Sequence, residues 1–179
     1  MANDFRGSAT GSFFSHHDAR YLYAADLSGG TLVSNDGDPS EFSRRSMAAS
    51  GTTSVAGAFA IDAHWRAVAL RWAWCTETSG TAGNVVFQVR YGLIYPLLGD
   101  NAQTVSLTTL AVPTAAANAT AGVSQYSLPN STSAIETPVD GFLGTNPIMT
   151  FSIDRLGDNA ADTFGQPISV YAATITRVD

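Results

Sequence analysis

The chain has 179 residues, of which 45% are hydrophobic and 13% charged, with a formal net charge of −6. That length suits one domain with a proper core, and the hydrophobic share excludes a disordered chain. The acidic balance argues against a nucleic-acid-binding surface, which needs clustered cations to neutralise phosphates.

All nine cationic side chains are Arg, a type suited to carboxylate pairing at interfaces. The one cysteine, Cys75, allows no intrachain disulfide and reads as a small buried hydrophobe, since no neighbouring His or Arg cluster would activate its thiol. The N-terminus MANDFRGSATGSFF lacks a cationic region followed by an apolar run, so no signal peptide is expected. No apolar stretch approaches the roughly 20 residues that spanning a bilayer requires. The expectation is a protein made in a cytoplasm and soluble, with neither nucleic acid nor membrane as partner.

Residues 1–50 differ in character from the rest. Turn signals at Ser28-Gly29-Gly30 and Asn35-Asp36-Gly37-Asp38-Pro39 separate small apolar groups: Phe13 and Phe14; Tyr21, Leu22 and Tyr23; Leu32 and Val33. Aromatics on so flexible a segment must pack on the domain or on a neighbouring chain. An extended N-terminal arm is favoured, with Thr31 to Ser34 as a short strand; the alternative is that the segment folds back as an edge strand of its own domain. The domain proper is then 51–179.

From Thr52 the pattern becomes regular. Val55, Gly57, Phe59 and Ile61 alternate as a strand, and Asp62 to Arg66 reads as a corner. Val68, Leu70, Trp72 and Trp74 then recur at a spacing of two, as do Val85, Phe87, Val89, Tyr91, Leu93 and Tyr95, with Gly80, Gly83 and Asn84 between the runs. The simplest reading is a central β-hairpin with a longish loop, Arg71 on its opposite face. Further strands are expected over Thr104 to Val112, Val123 to Leu128, Ile148 to Leu156 and Ile168 to Val178, with Met149, Phe151, Ile153 and Arg155 sharing a side. About eight strands and no credible long helix predict an all-β fold, an antiparallel β-sandwich of jelly-roll type. Leu70, Trp72, Phe87, Val89, Tyr91, Phe151 and Ile153 belong to its expected core.

Catalytic and metal chemistry are thinly supported. His16, His17 and Asp18 form a polar trio, but adjacent histidines on a strand face opposite ways and no second pair stands at ligand spacing. Asp154, Asp158, Asn159 and Asp162 supply oxygens within one stretch, yet match no calcium-loop spacing and are also turn residues. His64 beside Asp62 has no G-x-S-x-G elbow to make a hydrolytic triad. The sequons at Asn118 and Asn130 matter only for a secreted chain. No cofactor, metal or catalytic residue is expected.

The run ALRWAW, then GNVVFQVRYGLIY and LLGD, then FSIDRLGDNAADTF and the closing ISVYAATITRV, resembles the β-sandwich domain at the C-terminus of many tailed-bacteriophage virion proteins. The resemblance covers about Val55 to Asp179. It implies a jelly roll of the kind found in capsid decoration (cement) proteins, head fibres and receptor-binding tail proteins, usually trimeric and without catalytic residues.

Three functions follow as alternatives. The first is a capsid decoration protein on the virion surface, homotrimeric, binding the major capsid protein through its arm. The second is a receptor-binding or fibre adhesin recognising a host glycan or protein; the third is a small β-sandwich enzyme, which the scarcity of ionisable residues disfavours. Size favours decoration, since no repetitive stem is present. Phe13, Phe14, Tyr21, Leu22, Tyr23 and Trp74 are the expected interface residues.

Overall fold

The structure is a computed structural model, and it describes residues 19–33, 43–62, 64–79, 82–95, 106–127, 134–137 and 147–178. Two antiparallel sheets pack face to face among these residues, with no helix. One has seven strands: β1 (Ala19–Tyr23), β3 (Thr31–Val33), β4 (Arg44–Met47), β6 (Ala67–Thr76), β11 (Gln125–Ser127), β12 (Ile135–Glu136) and β14 (Ile168–Arg177). The other has five: β2 (Ser28–Gly29), β5 (Thr52–Ala60), β8 (Phe87–Ile94), β9 (Thr108–Ala111) and β13 (Ile148–Leu156). A short pair, β7 (Asn84–Val85) with β10 (Ala115–Ala116), forms a third ladder. The fold is the expected all-β jelly-roll sandwich.

The period-2 patterns correctly predict which face is buried. Val68, Leu70, Trp72 and Trp74 of β6 are buried, as are Met149, Phe151, Ile153 and Arg155 of β13. Of the expected core only Tyr91 is half-buried rather than enclosed. Rings from the two sheets meet in the middle: Trp72 and Trp74 each stand edge-on to Phe87 at 5.3 Å between centroids. Phe59 stacks on Phe151 at 5.2 Å within the five-stranded sheet. Such contacts add about 0.5–1.5 kcal/mol each to the gain from burying apolar area.

The central hairpin does not form. β6 lies between β14 and the short strands β11 and β12, whereas β8 lies between β13 and β9 in the opposite sheet. The connection is an arch from one sheet to the other. Two consecutive strands that bury matching apolar faces can lie side by side or face each other across the core, and alternation alone does not distinguish the two.

The arm boundary at residue 50 also moves. β1 pairs with β14 from Ala19↔Thr176 to Tyr23↔Ala172, β2 pairs with β5, and β4 pairs with both β3 and β14. Described residues before 51 therefore belong to the sandwich, as the fold-back alternative has it. Leu22 is the reason for β1: it points inward and comes so close to Gly57 that a Cβ there would sit 2.9 Å from its Cδ1.

One end of the sandwich is closed by a buried ion pair. Arg155, fully buried on β13, donates from Nη2 to Asp162 Oδ1 at 2.9 Å and from Nε to Asp162 Oδ2 at 3.1 Å. The same guanidinium donates from Nη1 to the Gln166 carbonyl at 2.7 Å, and also to that of Phe164. Asp162 in turn accepts from the Val86 amide at 3.1 Å, tying the loop to the strand region opposite.

Candidate functional site

The outer face of the seven-stranded sheet carries an open trough. Its construction follows from the register. Tyr126 of β11 pairs with Ala73 of β6, Ala73 with Ala172 of β14, and Ala172 with Tyr23 of β1. These four residues form one row across the sheet, all pointing away from the core. Two alanines make a low floor, and a tyrosine stands at each side. Tyr126 is 73% exposed and Tyr23 64%. Three strand spacings of about 4.8 Å set the two rims about 14 Å apart.

A third tyrosine deepens the trough. β14 shifts register between Val170 and Ala172 in its pairing with β6, and Tyr171 sits at that bulge. On the other edge of β14, β4 pairs with Ile168 to Val170 and β1 with Ala172 to Thr176, so the neighbour changes at Tyr171. The resulting depression has a volume of about 690 Å³ and is completed by Ser43 and Arg44 on one side and Ser124 on the other. That volume falls within the range of about 300–1,000 Å³ common for small-ligand sites.

The trough is electrically simple. Among the described residues, Arg44 is the one charged side chain lining it. Its Nε is buried and has no hydrogen-bond partner among the described residues. The Tyr171 hydroxyl lies 2.9 Å from Cys75 Sγ. Burial, then the hydrogen bond and charge at Cys75, push the Tyr171 pKa up to about 12, against the pull of Arg44. Tyr171 is thus a neutral phenol at physiological pH. Glu77 does not line the trough, and one of its carboxylate oxygens accepts from Ser169 Oγ at 2.7 Å.

The structure separates the expected interface residues. Tyr23 is a rim of the trough, and Tyr21, 58% exposed, sits on the next row of the same face beside Thr174. Leu22 turns inward. Trp74 is not a surface residue: it is buried in the core, and its indole Nε1 donates to Ser127 Oγ at 2.9 Å. Since Trp72 is buried too, neither contributes apolar surface to an assembly. Phe13, Phe14, His16, His17, Asp18 and Asn130 lie outside the described residues.

The acidic stretch of β13 and its loop is occupied by protein donors. Asp154 receives Arg90 Nε at 2.7 Å and Ser152 Oγ at 2.5 Å. Burial would raise its pKa, but the hydrogen bonds from Arg90, Ser152 and Ser54 and the charge of Arg90 together hold it below the usual carboxylate range. Asp158 accepts from the Gly51 amide, Asn159 from the Ala161 amide, and Asp162 from Arg155. No group of metal-ligating side chains occurs among the described residues. Asp62 accepts from the backbone amide of His64 at 3.0 Å, a turn contact and not a triad arrangement.

Sequence reasoning missed Tyr126, Tyr171 and Arg44. A signal was present: apart from Arg71, the outward positions of β6 and β14 around the trough carry small residues, Ala69 and Ala73 on one, Ala172, Thr174 and Thr176 on the other. Central strands with small outward side chains leave room for something to lie on the sheet.

No family model matches the chain, and no curated protein matches it. Among solved structures, it is similar to a xylan-binding domain from Paenibacillus barcinonensis at 10% identity and a TM-score of 0.46, over 88% of this chain and 91% of that one. It is also similar to the enzymatically active domain of a tailspike protein from bacteriophage CBA120, at 9% identity and a TM-score of 0.39, over 94% of this chain and 20% of that one. A structure of infectious bursal disease virus matches at 13% identity and a TM-score of 0.35, over 89% of this chain and 31% of that one. These are likenesses between β-sandwich domains and say nothing of ligand or activity.

Proposed function

We propose that the protein is a non-enzymatic bacteriophage virion component that works by adhesion, holding a host-surface ligand in the tyrosine-rimmed trough. The observation that carries this reading is the row Tyr126, Ala73, Ala172 and Tyr23, in which large exposed aromatics flank a floor of alanines. Tyrosines this exposed bury little area on folding, whereas rigid amphipathic rings are effective binding surface at low entropic cost. The virion setting rests on the sequence resemblance.

Capsid decoration is the second reading, favoured by Tyr21. It extends the exposed aromatic surface beyond the trough along the same sheet face, and an extended face suits a protein lattice or a second subunit. In that reading the chain is a homotrimer on the major capsid protein.

The test is Tyr126→Ala in assembled particles. Adhesion requires that the variant still incorporates, with a melting temperature unchanged, while adsorption to host cells falls. Loss of incorporation with adsorption per incorporated copy intact overturns adhesion in favour of decoration. Imaging then shows whether the protein occupies the lattice or an axial site.

A further inference from the structure

We infer that the trough reads an acidic glycan, with the pyranose rings lying across Ala73 and Ala172 between the tyrosines and a carboxylate of the chain bound by Arg44. This rests on the adhesion reading and names its ligand.

Three features select the ligand class. The first is the alternation of surface types. Tyr23 and Tyr126 offer ring faces for the apolar C–H faces of sugars, while Ser43, Ser124 and the tyrosine hydroxyls offer partners for ring hydroxyls. The separation of the rims, about 14 Å, accommodates a short stretch of linear sugar chain and exceeds what a single ring would span.

The second is the state of Arg44. Arg44 lines the trough with no carboxylate paired to it among the described residues, and its Nε has no acceptor there, so its charge is open to an incoming anion. Carboxylates suit that role because they accept from a guanidinium fork in two parallel bonds. The third is that, among the described residues, no acidic side chain is in the lining, on a chain whose net charge is −6. Asp26 lies close in sequence to Tyr23, but its Oδ2 accepts from the Tyr23 amide at 3.2 Å and it does not line the trough. Among the described residues, an anion entering the trough therefore meets one cation and no opposing carboxylate. A nucleic-acid strand is a poorer fit, because one arginine does not neutralise a run of phosphates.

The experiment uses the full chain and four soluble polymers, polygalacturonate, alginate, hyaluronan and polysialic acid, each beside its carboxyl-reduced counterpart. Binding is measured by calorimetry, and sedimentation is recorded for every variant. The inference requires that at least one acid form binds, that its reduced form binds about tenfold to a hundredfold more weakly, and that Arg44→Gln removes this difference at unchanged melting temperature.

Equal binding of acid and reduced forms, abolished by Tyr126→Ala, overturns the acidic ligand and leaves adhesion standing. Failure of all eight polymers overturns the inference. If Tyr126→Ala then also leaves host adsorption intact, adhesion fails with it. A shift in sedimentation with Tyr126→Ala assigns the trough to a second copy of the chain, and competition by single-stranded oligonucleotide assigns it to nucleic acid; either result overturns the inference.

Discussion

Arg155 and Arg44 sit in the same sandwich under opposite conditions. Arg155 has its guanidinium enclosed by one carboxylate and two carbonyls, with no exposure of either charged side chain that matters energetically. Arg44 lines an open trough with a buried Nε that has no partner among the described residues. The first region is finished and the second is left open. Polar groups that stabilise a fold are satisfied within it, whereas those kept for a ligand retain unmet bonding capacity.

The contrast is broken most directly at Arg155. Arg155→Met strands the Asp162 carboxylate in the interior and is expected to cost about 3–5 kcal/mol in urea unfolding. The paired variant Arg155→Met with Asp162→Leu should recover much of that loss, since no charge is then left uncompensated. A single variant that unfolds at the wild-type urea concentration would show the clamp to be dispensable.

Packing around the clamp gives the next effect. A Cβ on Gly83 would stand 2.9 Å from backbone atoms of Phe164, whereas one on Gly165, in the same loop, would meet nothing within 4 Å. Gly83→Ala should therefore cost about 1–3 kcal/mol by overpacking. Gly165→Ala should stay within about 0.5 kcal/mol. Equal unfolding midpoints for the two would remove the argument that this loop is tightly seated.

A smaller effect is expected from Tyr171 in alkali. Its folded pKa of about 12 lies above the unfolded value of about 10. The folded state therefore holds the proton longer, so this contribution is fully present below pH 10 and is lost as the pH rises through 12. Urea midpoints taken across that window should fall less steeply in Tyr171→Phe than in the wild type. Smallest of all is Arg44→Met, which removes an unsatisfied donor and should alter unfolding by no more than about 0.5 kcal/mol. A loss comparable with that at Arg155 would mean Arg44 has a structural task, and the contrast would collapse.

The alternation in Val68 to Trp74 and Met149 to Arg155 made the buried faces and the all-β class legible. Pairing was not legible, because a period of two assigns a face and says nothing of the neighbour. Hence β6 and β8 read as a hairpin, although Trp72 and Trp74 meet Phe87 across the core. In β1 the run Tyr21, Leu22 and Tyr23 is apolar throughout, so no alternation marks which face is buried, and it stands among Gly, Ser and Asp. The trough was harder still. It depends on three tyrosines far apart in the chain, brought together by register and by a bulge that no local pattern announces.

The pairing of β1 with β14 has a mechanical consequence. Ala19 lies opposite Thr176, so the segments before β1 and after β14 leave from the same corner of the sheet. A load pulling those segments apart acts on the ladder one rung at a time, opening it as a zipper and not shearing it as a whole. Rupture begins at Ala19 and reaches Tyr23↔Ala172 last. The rim of the trough is thus the final part of the strand to come away, and that face keeps its geometry through the first stages of peeling.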